Sequence, residues 1–249
     1  MQQPEAVTKM SHGTLQTLIN SFTASIHASF DETLCERANY LRTLFTVTQT
    51  DRYLDIGARS CVNTMVFGAE AQEIIAVDLA FTEKPKAENL ELVKADGTSL
   101  PFREGAFTRV SLFSVLEHVP DAKRALKQTF KVLKPQGELL LQIPNRYFPL
   151  ELHTGLPLIF LMPSSLRKYV LKACGYNRRC RWIPEDIPSI RAAINIIKQV
   201  KPNARITSVQ KVIYPKNLIT PKLRRIAQIA KKLGIFNIFP YGYVLTVAY

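Results

Sequence analysis

The sequence is short of the features that mark several classes of protein. Its four cysteines, Cys35, Cys61, Cys174 and Cys180, form no C-x-x-C pair, and five residues separate the last two. Structural zinc sites draw on closely paired cysteines, so no metal is expected here. A chain of this size needs no disulfide framework, and the cysteines read as reduced, cytoplasmic thiols. No apolar run approaches the about 20 residues that a spanning helix requires. The stretch Leu156–Met162 is broken by Pro157 and closed by Pro163. Met1–Met10 contains Glu5 and Lys9 and lacks the apolar core of a secretory signal. The expectation is a cytoplasmic protein that is soluble or lies peripherally on a membrane.

Acidic residues are scarce in one part of the chain. Residues 164–249 carry 17 Lys and Arg against Glu185 and Asp186, a net charge of +15, whereas residues 1–163 carry a net −2. Such asymmetry points to an anionic partner for the C-terminal third, or to a basic face that only meets water. The 47% hydrophobic content is ordinary for a protein with a buried core.

Hydrophobic spacing predicts the elements in turn. Leu15, Leu18, Ile19, Phe22 and Ile26 recur at helical intervals, and Asp31 caps a second helix with Leu34, Ala38, Leu41 and Phe45 on one face. Short apolar runs follow at Tyr53–Ile56, Glu73–Asp78, Leu90–Val93 and Phe107–Phe113. Asp121 opens a helix with Ala122, Leu126, Phe130 and Leu133 on its inner side. Lys134-Pro135-Gln136-Gly137 reads as a turn into a fifth strand, Glu138–Ile143. Strands without polar alternation, separated by helices, imply a parallel sheet covered on both faces. Beyond Pro144 the pattern is irregular. A helix is expected at Ser189–Val200 and strands at Ile206–Ile213 and Tyr243–Ala248. Thr220 and Pro221 open a helix with Leu223, Ile226, Ala227 and Ala230 inside, closed by Gly234. The expected organisation is one domain: helices over 1–50, a core over 51–143, a substrate-side insertion over 144–203, and strands and a helix over 204–249.

In an open α/β sheet, ligands bind beyond the carboxyl ends of the strands. The polar residues there are Asp55-Ile56-Gly57, Asp78, Asp96-Gly97 and Glu117-His118. Asp78 stands 23 residues after Asp55. A carboxylate in that place offers two acceptor oxygens to the hydroxyls of a ribose, or caps the next turn. Five segments then occur in order: YLDIGA (53–58), IIAVD (74–78), VKADGTSLPF (93–102), FSVLEHVPD (113–121) and FKVLKPQG (130–137). Together they resemble the class I S-adenosylmethionine-dependent methyltransferases of the methyltransferase type 11 kind, in the branch that includes quinone, glycan and other small-molecule methyltransferases. The resemblance covers roughly residues 50–145.

That resemblance implies a Rossmann-like, doubly wound, mostly parallel seven-stranded sheet with helical insertions after strands 5 and 6, and S-adenosylmethionine as cofactor. Gly57 and its neighbours Ala58 and Arg59 would approach the methionine part of the cofactor, with Asp55 beneath them facing its amino group. Asp78, with Leu79 beside it, would hold the ribose. Asp96 and Gly97 would border the adenine, and Ser114 and Val115 would floor the site next to the sulfonium. One departure stands out. The family loop reads D-x-G-x-G-x-G, and here Asp55-Ile56-Gly57-Ala58-Arg59-Ser60-Cys61 keeps only the first glycine. Arg59 either pairs with the cofactor carboxylate, where its fork suits a bidentate contact, or crowds the site.

Methyl transfer needs positioning more than acid–base chemistry, but an oxygen acceptor benefits from a base. Glu117 and His118 follow the fourth strand, and His is poised near neutral pH. Ser114 stands where related enzymes with a divalent ion carry a glutamate, so no metal is carried over. Asn145–Pro157 brings Glu151 and His153 together with Arg146 and Tyr147, a mixture typical of a substrate pocket or an ordinary polar loop. Phe160–Met162, followed by Arg167, Lys168, Lys172, Arg178, Arg179 and Arg181, suits an anionic membrane surface or a lipid-linked substrate, or else a buried helix with a basic outer face. The leading expectation is transfer to a small-molecule, lipid or glycan acceptor, at oxygen. The alternatives are an RNA- or nucleotide-linked methyltransferase and a catalytically inactive binding protein of the same fold. A DNA base acceptor is not expected, because LEHV stands where an N-P-P-Y-type segment would.

Overall fold

The computed structural model describes residues 41–148, 158–173, 188–212, 229, 232–234 and 240–249. The elements are β1 (Arg52–Ile56), α1 (Val62–Gly68), β2 (Glu73–Asp78), β3 (Leu90–Lys94), β4 (Phe107–Phe113), α2 (Ala122–Val132) and β5 (Leu133–Pro144). They are followed by a single 3-10 turn (Ile159–Leu161), α3 (Ser164–Ala173), α4 (Ile190–Val200), β6 (Arg205–Val212) and β7 (Gly242–Ala248). The seven strands form one sheet in the order β3-β2-β1-β4-β5-β7-β6. β7 alone runs against the others, pairing antiparallel with both β5 and β6. This is the doubly wound, mostly parallel sheet that the sequence predicts.

Both faces of the sheet are covered, which is why its strands lack polar alternation. On one face Leu54, Ile56, Val110, Leu112, Leu139 and Leu141 pack against Ala125, Leu126 and Phe130 of α2 and Ala193 and Ile197 of α4. The side chains one residue along point the other way. Tyr53, Ile74, Phe113, Leu140 and Val244 meet Leu41, Phe45 and, from α1, Val66 and Phe67. α2 begins at the cap that the sequence predicts, and α4 at one that the structure adds. The Asp121 carboxylate accepts from the Arg124 N–H at 2.8 Å, and the Ser189 hydroxyl from the Ala192 N–H at 3.1 Å.

The structure revises three sequence expectations. Residues 134–137 are not a free turn but a bulge within β5. Phe107 faces Leu133, the ladder then slips, and Arg109 faces Glu138. Gln136 takes a φ of 68°, donates to the Tyr249 carbonyl at 2.7 Å, and Tyr249 donates back to Gly137 at 3.0 Å. Secondly, α4 covers the sheet beside α2 rather than belonging to a substrate-side insertion. Thirdly, Arg167, expected on a basic outer face, lies inside with Phe160. Both are buried, and the Arg167 guanidinium lies over the Phe160 ring, 5.2 Å from its centroid.

The first N-terminal helix, the second as far as residue 40 and most of the helix expected after Thr220 lie outside the described residues. At the end of the latter, Leu233 donates to the Ile229 carbonyl and Gly234 has a φ of 69°, the left-handed closure glycine permits. No helix among the described residues is long and apolar enough to cross a membrane. Leu139 sits on β5, an interior strand between β4 and β7, with no exposed surface. Leu139→Ala should therefore lower the unfolding free energy by about 3 kcal/mol, read from the urea midpoint, as cavities at rigid core sites do.

Candidate cofactor site

From β1 the chain winds outward to β3, then crosses to β4 on the other side of β1. The carboxyl ends of β1 and β4 thus flank the switch point where such sheets bind ligands. The loop leaving β1 is fastened to β2. The N–H groups of Gly57 and Ala58 both donate to the Val77 carbonyl, at 2.8 and 3.0 Å. The Arg59 N–H donates to Asp78 Oδ2 at 2.9 Å, and the Ala80 N–H to Asp78 Oδ1 at 2.9 Å. The Arg59 carbonyl accepts from the Thr82 N–H at 3.0 Å.

Three alternate residues of this loop have positive φ: Gly57 at 77°, Arg59 at 38° and Cys61 at 57°. These are the three places where the family pattern has glycine. At two of them, Arg59 and Cys61, a residue with a side chain adopts the left-handed region that favours glycine. A Cβ on Gly57 would collide with the Val115 side chain, so there no substitute fits. Left-handed geometry costs a residue with a Cβ about 1 kcal/mol or more. Arg59→Gly should accordingly raise stability by up to about 1 kcal/mol, less the entropy that glycine adds to the unfolded chain, giving a higher Tm by scanning calorimetry.

Under the loop lies a buried polar chain. Asp55 is 1% exposed. Its Oδ2 accepts from the Thr64 hydroxyl at 2.6 Å and its Oδ1 from the Ser111 hydroxyl at 2.7 Å. The Ser111 hydroxyl in turn meets the Tyr53 hydroxyl at 2.6 Å. Burial pushes the Asp55 carboxyl up to about 6, against the lowering effect of the two hydroxyl donors and with a further push from the charge of Asp78. Asp55 thus supports the loop from below, with both oxygens already accepting internal hydrogen bonds.

The folded state therefore binds this proton more tightly than the unfolded chain, whose carboxyl titrates near its ordinary 3.8. The stabilisation is complete below the unfolded value and is lost as the pH rises through about 6. Between about pH 4 and about pH 7 the stability of the native protein relative to Asp55→Asn should fall by about 2 kcal/mol, a difference that paired urea titrations would measure.

The other predicted site residues are arranged around this loop. Asp96, beyond β3, is exposed, and its Oδ1 accepts from the Thr98 N–H at 2.7 Å and the Thr98 hydroxyl at 2.9 Å. Gly97 packs under Ile56, 3.0 Å from where its Cβ would be. Leu79, next to Asp78, is 63% exposed. Ser114 ends β4 with a φ of 54°; its N–H donates to the Gln142 carbonyl at 3.0 Å and its hydroxyl lies 3.3 Å from Gln142 Oε1. Val115 is buried against Gly57. Glu117 and His118 sit in a turn ahead of α2, Glu117 turned inward and His118 exposed. Glu151 and His153 lie outside the described residues.

Thr64, Ser111 and Tyr53 were not singled out by sequence, although Ser111 is a polar residue in an otherwise buried strand. Gln142 and Asn145 also emerge only in three dimensions. Gln142 is fully buried, and its Nε2 has no hydrogen-bond partner among the described residues. Asn145 donates to the Pro240 carbonyl at 2.8 Å. The Arg59 guanidinium is held below its ordinary range by burial, partly offset by the charge of Asp78. A cavity of about 620 Å3 opens at the amino-terminal edge instead, lined by Arg52, Glu73, Glu88 and Glu91, away from these strand ends. Arg52 and Glu73 form an ion pair there.

Comparison with known proteins identifies the core. Residues 54–141 match the family model described as the methyltransferase domain. The match covers about a third of the chain, which over that segment is similar to the methyltransferase domain. An uncharacterized methyltransferase of Bacillus subtilis, YcgJ, is 29% identical over 99 residues, covering 36% of this chain and 39% of YcgJ. The demethylmenaquinone methyltransferase of Renibacterium salmoninarum is 26% identical over 93 residues, with 36% and 39% covered. The chain thus matches about two fifths of the length of these relatives. Among solved structures, an S-adenosylmethionine-dependent methyltransferase of Mesorhizobium loti superposes with a TM-score of 0.57 at 14% identity, over 85% of this chain and 96% of that one. That likeness is one of fold.

Proposed function

We propose that this protein is an S-adenosylmethionine-dependent methyltransferase whose acceptor is a small molecule, lipid or glycan methylated at oxygen. The observation that carries the reading is the loop from Gly57 to Cys61, in which Arg59 and Cys61 hold left-handed backbone at the positions where the family pattern has glycine. Backbone strain of that kind persists where the surroundings impose it, and it collects at ligand sites. The residues present fit the cofactor. Gly57 leaves the space that a Cβ would fill, and Asp78 stands half-buried at the end of β2. Each Asp78 oxygen accepts one backbone N–H and retains a second lone pair for a ribose hydroxyl. The exposed Leu79 gives the adenine an apolar neighbour, and Asp96 is exposed beside it to accept from the exocyclic amine.

The cofactor supplies an electrophilic methyl group on a sulfonium. The protein's part is to orient both partners and to exclude water from the line of transfer. Ser114 and Val115 floor the site, and Gly57 packs on Val115. His118, exposed on the turn after β4, is the group that would take the proton from an acceptor hydroxyl. Glu117, buried in the same turn, would position that segment. The match to a demethylmenaquinone methyltransferase supports an acceptor outside the nucleic acids, and the basic C-terminal third supports an anionic one or an anionic surface that carries it.

Titration calorimetry with S-adenosylmethionine tests the cofactor site. Micromolar binding is the expected result, with at least tenfold weaker binding by Asp78→Ala, whose loss removes the ribose acceptor and the anchor of Arg59. A folded protein that binds no S-adenosylmethionine at millimolar concentration overturns the methyltransferase reading and leaves the fold as a binding module.

A further inference from the structure

The segment from Leu158 to Ala173 is built unlike the rest of the described chain. Its inner side is a small apolar cluster of its own, in which Ile159 and Phe160 are buried and Met162, Val170 and Leu171 pack against them. That cluster is separate from the two that sandwich the sheet. Arg167 is drawn into it, stacked on Phe160.

Its outer side remains open and is strongly sorted. Around α3, at about 100° per residue, Arg167, Val170 and Leu171 fall on one side. The exposed arc opposite them runs from Lys168 and Lys172 through Tyr169 to Leu166. Leu166 is 48% exposed and Tyr169 71%. The 3-10 turn before the helix adds Leu158 at 48% and Leu161 at 50%. Four large apolar side chains therefore stand in solvent within one short segment, beside two exposed lysines, and residues 158–173 contain no acid.

We propose that this outer face docks the protein on an anionic lipid leaflet. A surface that met only water would not concentrate leucine and tyrosine in one place. Nucleic acid would reward the lysines, but it offers nothing to Leu158, Leu161 and Leu166. A lipid interface rewards both. The leucines enter the acyl boundary, the tyrosine lies at headgroup level, and the lysines extend along the surface to the phosphates. The buried Arg167 serves the scaffold, which holds the platform rigid. This deepens the reading of a lipid acceptor without depending on it, because docking requires no cofactor.

The test is co-sedimentation of the full chain, without S-adenosylmethionine, with vesicles of phosphatidylcholine alone or mixed with phosphatidylglycerol. The expected result is partition onto the mixed vesicles and little onto the neutral ones. Lys168→Ala and Lys172→Ala should each lower partition about fivefold, and Leu161→Glu with Tyr169→Glu at least about tenfold. Val209→Glu, an exposed apolar position on β6, should leave it unchanged. Circular dichroism checks that each variant folds. Absence of partition onto the anionic vesicles overturns the proposal. So does partition that ignores Leu161→Glu and Tyr169→Glu, or single-stranded RNA binding that displaces the vesicles and is lost in the same variants. A protein that binds S-adenosylmethionine but not vesicles fails here alone, and one that binds vesicles but not S-adenosylmethionine fails as a methyltransferase alone.

Discussion

A carboxylate buried between a sheet and a helix is costly unless every lone pair facing the protein is met, and Asp55 shows how that requirement organises the site. Its two donors come from different elements, Ser111 on β4 and Thr64 on α1. Asp55 and Ser111 are also partners in the parallel ladder. A slip of one residue would turn Ser111 to the opposite face and strand the carboxylate. Moving α1 would remove Thr64. The interaction thus fixes the register of the central strand pair and the start of the helix that follows. The loop from Gly57 to Cys61 spans those two fixed points.

That closure explains why Arg59 and Cys61 can hold left-handed backbone. Neither conformation is favoured locally. Each is imposed by bonds at both ends: Gly57 and Ala58 on Val77, Arg59 on Asp78, and Cys61 donating to the Ala58 carbonyl at 2.7 Å. The side chains of the two residues have opposite fates. Cys61 is fully buried beside Ala58 and Ala76, where burial pushes its thiol up to about 12 and keeps it unreactive. Arg59 stays near the surface in the field of Asp78. The loop therefore trades glycine's freedom for external anchoring.

Much of this architecture was legible in the sequence because the signals were local. Apolar runs ending in Ile56, Asp78 and Phe113 located their strands, Asp121 announced its helix through cap chemistry that acts within three residues, and the register of Ile190, Ala193, Ile194 and Ile197 located α4. What was not legible depends on contacts between distant segments. Ser111 looks like an ordinary strand residue until β1 is laid beside it. The bulge at 134–137 exists because Tyr249 bonds to it from the far end of the chain. Phe160 beside Arg167 looks like bulk next to charge, and only the fold shows that they stack inward while Leu161 and Tyr169 face out. The glycine pattern misled in the same way, since it reports which residues adopt a conformation cheaply and not which ones a fold can hold there.

The same reasoning bears on how Asp78 meets a ligand. Its oxygens are oriented by two backbone N–H groups before any ligand arrives, so the carboxylate pays little rotational entropy on binding. Those bonds also tie it to the loop that would face the methionine part of the cofactor. A ribose held at Asp78 and a methionine tail held along Gly57–Arg59 would then contact one bonded unit, and each end of the ligand would find the other's contacts already in place. Asp55 lies beneath that unit, and its own ionisation is disfavoured by the charge of Asp78. The two carboxylates thus divide the work: Asp55 is buried and supports the turn from below, while Asp78 stands at the rim, where each oxygen keeps a lone pair that a ligand hydroxyl would meet.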